Sequence, residues 1–73
     1  MENYHTKDLS LAAALFAIGR KFVGLSPNGD GRSFDFNFKN ESACEVSARA
    51  FWSGALRINA LEYSNALRTL KDI

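Results

Sequence analysis

The sequence predicts a small α+β domain that spans residues 1–73 as one unit, with a helix, a β-hairpin and two further helices in the order αββαα. Three observations lead to this prediction. Phe34, Phe36 and Phe38 alternate with polar residues, which is the period of a half-buried strand. Two segments of the second half carry helix-capping signals. Hydrophobic residues make up 47% of the chain, which is enough apolar material for one core.

The first helix is predicted over residues 9–18, a mostly apolar stretch that ends at Gly19. Thr6 is its expected N-cap, with Asp8 as the rival. The bulky half of the helix is expected to meet the Phe face of the hairpin. The other half is a stripe of small residues, Ser10, Ala13, Ala14 and Ala17. Such a stripe lets a second helix approach closely, either the last helix of this chain or one from another copy. We expect the former, because so short a chain needs both faces of a central helix.

The hairpin is predicted from two short segments and the turn formers between them. Residues 21–25 form the first strand, residues 33–38 the second, and residues 27–31 are dense in Pro, Asn, Gly and Asp. In the second strand the three Phe lie on one face. The opposite, polar face carries Asp35, Asn37 and Lys39.

The second helix is predicted from a capping box, with Ser42 as N-cap and Glu45 at N3, although Asn40 is an alternative start two residues earlier. It is expected to run to Ser53 and to end at Gly54. A projection at 100° per residue predicts which of its side chains point inward. They are Ala43, Val46, Ala50 and Phe51.

The third helix has the best-specified start in the chain. Asn59 is the expected N-cap with Glu62 at N3, and Ile58 and Tyr63 occupy the two positions of a hydrophobic staple. The same projection predicts its core stripe. The stripe consists of Tyr63, Ala66, Leu67 and Leu70.

Composition excludes several classes of function. Nine Lys and Arg against eight Asp and Glu give a net charge of +1, which argues against both a strongly basic nucleic-acid clamp and an acidic DNA mimic. Cys44 is the only cysteine and His5 the only histidine, too few for a disulfide or a closed tetrahedral zinc site, so we expect no cofactor. Residues 11–18 form the longest apolar stretch, far short of the about 20 that cross a membrane. With no signal-peptide pattern, we expect a cytoplasmic protein without a membrane partner.

No group of residues indicates catalysis. His5 and Cys44 are the only candidates for a base and a nucleophile, and neither their spacing nor a third orienting residue brings them together. The loop at residues 28–31 lacks both the carboxylate pattern of a calcium loop and the Lys-Ser/Thr of a phosphate loop. We therefore predict a protein that is not an enzyme.

Two sets of residues are candidates for binding. Tyr4 and Trp52 are aromatic residues of the kind that concentrate in protein interfaces, and Arg57 lies near Trp52 in the sequence. The alternative is a basic surface on the hairpin that contacts nucleic-acid phosphates, although acidic residues are interleaved with it. Its members are Arg20, Lys21, Arg32, Lys39 and Arg57.

The sequence also resembles a family of small bacterial and phage proteins that is catalogued as a domain of unknown function. The resemblance rests on Tyr4-x-Thr6-x-Asp8-Leu9 at the start and Trp52-x-Gly54-x-Leu56 in the second half. Further matching positions are Leu11-Ala12-Ala13, Gly19, Phe22, Gly24, Ile58, Tyr63, Ala66-Leu67-Arg68 and Leu70-Lys71. The resemblance implies phage, prophage or mobile-element genomes and a non-enzymatic accessory role, and it transfers no catalytic residue.

These observations together predict a non-catalytic binding protein, encoded by a phage or mobile element, that acts by protein–protein contact and modulates or inhibits a host complex. A homodimer through a strand edge or through the small-residue stripe is compatible with the same pattern. The alternative is a small nucleic-acid-binding protein that uses the basic hairpin face.

Overall fold

The computed structural model describes residues 2–27 and 34–72 of the chain. They form a small α+β domain, and the five predicted elements occur in the predicted order. The structure adds one strand before the first helix. The elements are β1 (Tyr4–Thr6), α1 (Leu9–Ala17), β2 (Phe22–Pro27), β3 (Phe34–Phe38), α2 (Glu41–Trp52) and α3 (Ala60–Lys71).

The sheet has three antiparallel strands in the order β1-β3-β2, so the prediction of a two-stranded hairpin was one strand short. Phe38 is the partner of Tyr4 on one side and of Phe22 on the other. An irregularity between Phe22 and Gly24 shifts the β2–β3 register. β1 was missed because three residues show no readable period, and because its partner strand lies some thirty positions later in the chain. β1 therefore covers an edge of β3 that a simple hairpin leaves open.

The core lies between α1, the sheet and α3. All five residues from Leu11 to Leu15 are buried, and Phe38 and Cys44 are fully buried as well. Three phenylalanine rings (Phe22, Phe36 and Phe38) meet at centroid distances of 5.4–6.5 Å on the face that packs against this core. α3 is the helix that packs most extensively on α1. The prediction that the small-residue stripe serves internal packing is therefore confirmed.

The start of α1 differs from its first prediction because Thr6 belongs to β1. Asp8 is the N-cap, and its Oδ1 accepts hydrogen bonds from the backbone N–H groups of Ser10 and Leu11 at 2.8 and 3.2 Å. The Thr6 hydroxyl accepts instead from the Asp8 N–H at 3.2 Å. Of the two predicted N-caps, Asp8 is therefore confirmed and Thr6 is not.

α2 begins at the earlier of its two predicted starts. Asn40 is the N-cap in the left-handed conformation, with φ of 68°, and its side chain accepts from the Ala43 N–H at 3.2 Å. The buried residues of α2 are Cys44, Ser47 and Ala48, and Val46 is 65% exposed. The prediction that Val46 points inward was wrong. That prediction was based on the hydrophobicity of Val46. In the structure, the face of α2 that packs against the core consists of small residues.

α3 begins at Asn59 as predicted, and the Asn59 side chain accepts from two N–H groups of the first turn at 3.0 and 3.1 Å. Its core stripe is also confirmed, since Ala66 and Leu70 are buried and Tyr63 and Leu67 pack against the core. The Tyr63 hydroxyl donates to the Ser10 carbonyl at 3.3 Å, which ties α3 to the start of α1. Across the described residues, no helix combines the length and apolar character needed to cross a membrane.

Candidate protein-binding site

A shallow, open groove of mixed polar and apolar surface lies where the end of α2, the α2–α3 connector and the start of α3 meet. Its volume is about 400 Å³. The residues that line it are Phe51, Leu56, Ile58, Ala60 and Tyr63. Leu56, Ile58 and Tyr63 are half-buried, whereas Ala60 is exposed.

The connector is held in place at both of its ends. At the end of α2, the Ala55 N–H donates to the Ala50 carbonyl at 2.8 Å, the Gly54 N–H donates to the Phe51 carbonyl at 3.2 Å, and Gly54 adopts a φ of 79°. This is the Schellman turn, in which a residue of left-handed conformation reverses the chain over the last helical turn. At the other end Asn59 caps α3. Hydrogen bonds at both ends thus fix the shape of the groove.

Trp52 does not line the groove, but it contacts Phe51, which does. Its ring packs edge-on against Phe51, with centroids 4.9 Å apart and planes at 74°. Phe51 in turn packs against the core, whereas Trp52 remains 63% exposed. The Trp52 ring therefore packs on Phe51 on one side and is exposed to solvent on the other.

The three predicted partner-binding residues do not form one surface. Arg57 is exposed in the connector between two groove residues, so it lies at the same end of the molecule as Trp52. Tyr4 lies in β1, packs against the core and faces the start of α2. Burial, together with the neighbouring Cys44 and Glu45, raises the pKa of the Tyr4 phenol. At a rise of about 1.5 Å per residue, the first turn of α2 and Trp52 are more than about 10 Å apart.

The predicted basic surface is only partly assembled. Lys21 and Lys39 are neighbours across the β2 and β3 ends, where the Lys39 N–H donates to the Lys21 carbonyl at 2.9 Å, and both side chains are exposed. Arg20 is directed away to α2, where its guanidinium donates to the Ser47 hydroxyl at 3.2 and 3.3 Å. Arg57 lies on the connector, and Arg32 lies outside the described residues. Two of the basic residues thus share one region of the sheet.

A row of polar side chains crosses the sheet on the face opposite the phenylalanines, and the sequence did not reveal it. Asn37 is 8% exposed, its Oδ1 accepts from His5 Nδ1, and its Nδ2 donates to the Ser26 hydroxyl at 3.0 Å. Asn37 was predicted on the polar face. Its hydrogen bond with His5 could not be predicted, because His5 lies in β1 and that strand was not predicted. The row links all three strands and satisfies a buried amide, which is a structural role.

The two residues considered for catalysis, Cys44 and His5, form hydrogen bonds with different residues. Cys44 is fully buried, its thiol donates to the Lys39 carbonyl at 3.4 Å, and burial raises its pKa, although nearby Arg20 opposes this shift. A protonated thiol without access to solvent is a poor nucleophile. His5 is bonded to Asn37 instead. Within residues 2–27 and 34–72, no three His, Cys, Asp or Glu side chains group as metal ligands.

No protein-family model, curated protein or solved structure matches this chain. The resemblance to a family of small bacterial and phage proteins accordingly stays a prediction.

Proposed function

We propose that this protein is a non-catalytic binding protein that acts by contact with another protein, through the groove and Trp52. The observation that supports the proposal is a largely exposed Trp52 that packs on Phe51, a residue lining a shallow groove of about 400 Å³. In the setting that the resemblance implies, the partner is a component of a bacterial host complex that the protein modulates or inhibits.

Two physical arguments favour this use of the surface. Tryptophan is enriched among the few interface residues that carry most of the binding energy, because it covers a large area with few rotatable bonds. The connector that shapes the groove is already fixed by the Schellman turn and by Asn59. Binding to a preformed surface orders few protein groups, so little conformational entropy opposes association.

The experiment compares three forms of the protein, immobilised and exposed to bacterial lysate. They are the wild type, Trp52→Ala, and Val46→Ala as a matched control, since Val46 is an equally exposed apolar residue of α2 away from the groove. We expect a protein that the wild type and Val46→Ala retain and that Trp52→Ala loses at least about tenfold, a change of about 1.4 kcal/mol. Retention that is the same for all three forms, or no retained protein, would contradict the proposal.

A second candidate function, nucleic-acid binding, is favoured by the adjacent Lys21 and Lys39. Binding of short single- and double-stranded oligonucleotides is measured at two salt concentrations. If these lysines contact phosphates, affinity falls steeply with salt, and Lys21→Gln with Lys39→Gln reduces the slope of log K against log salt by about 2. No binding at low salt would remove this candidate.

A further inference from the structure

We draw no further inference here: the strongest candidate, the open groove lined by Phe51, Leu56 and Tyr63 at the α2–α3 connector, belongs to the site already described, and nothing in the structure shows what covers it.

Discussion

Replacing Leu15 by alanine tests the packing on which the whole domain depends. Leu15 lies near the middle of α1 and is fully buried among core residues from the sheet and from both other helices. The change removes three carbon atoms, worth about 2.4 kcal/mol at about 0.8 kcal/mol per buried methylene. The cavity left behind brings the expected cost to about 3–5 kcal/mol. At about 0.05–0.15 kcal/mol per residue, a domain of this length has a total stability of about 4–11 kcal/mol.

The measurement is urea unfolding followed by far-ultraviolet circular dichroism. With a slope of about 1 kcal/mol per M, Leu15→Ala should lower the midpoint by at least about 3 M. Leu61→Ala is the matched control, because the same atoms are removed from a helical leucine that is 69% exposed. Its cost should stay within about 0.5 kcal/mol. Equal losses for the two variants would refute the placement of α1 at the centre of the core.

Three further predictions concern single interactions. Asn59→Ala should cost about 1 kcal/mol in urea unfolding and Asn59→Gly only a few tenths, because the amide caps two N–H groups of α3; equal losses would show that capping is not the cause. Ser47→Ala should cost about 1 kcal/mol by the same assay, because the Arg20 guanidinium loses a buried acceptor; an unchanged midpoint would show that the contact is dispensable. Burial raises the pKa of the Cys44 thiol and of the Tyr4 phenol above their ordinary values of 9.0 and 10.0, so the unfolded chain releases these protons first. Stability should therefore be at its full value below pH 9 and decline as the pH rises above 9, less steeply in Cys44→Ala; urea midpoints that stay level to pH 10.5 would contradict this.

The elements that the sequence predicted well are those whose signals are local. The signals for the start of α3 lie within five residues, from Ile58 to Glu62. They include the N-cap and the first residue of the hydrophobic staple, and the structure confirms that the helix starts there. β1 has no such signal, because its three residues are extended only through pairing with β3. The same pairing explains why Thr6 does not cap α1. Long-range pairing is information that a local pattern does not contain.

The inward face of α2 could not be predicted from hydrophobicity alone. Val46 is the most apolar residue in the middle of the helix, yet it faces solvent, whereas Ser47 is buried and bonded to Arg20. The choice of face depends on what α2 packs against, and both α1 and β1 contact it. A face of small side chains allows α1 and β1 to approach α2 closely. A helical projection of α2 alone does not show which elements it packs against.

The candidate site was likewise predicted in part. Residue type alone identified Trp52 and Arg57, and the structure places them at one end of the domain, apart from Tyr4. The groove between them required the reversal of the chain after α2 and the packing of Tyr63 on the connector. Gly54 and the staple of Ile58 and Tyr63 indicated these two local features, but not the groove itself, because its residues are scattered over three segments.

The arrangement of the sheet favours the helical end of the domain as the docking surface. A strand edge is one route by which small proteins pair with others, but one edge strand of this sheet, β1, has only three residues, and short edge strands offer little to pair with. The outer edge of β2 carries a register irregularity and ends in Pro27, which has no N–H to donate, and both features discourage strand addition. The small-residue stripe of α1 packs within the chain. Because short or irregular edges disfavour the first route and the stripe is used internally, we favour the groove beside Trp52 as the surface that meets a partner.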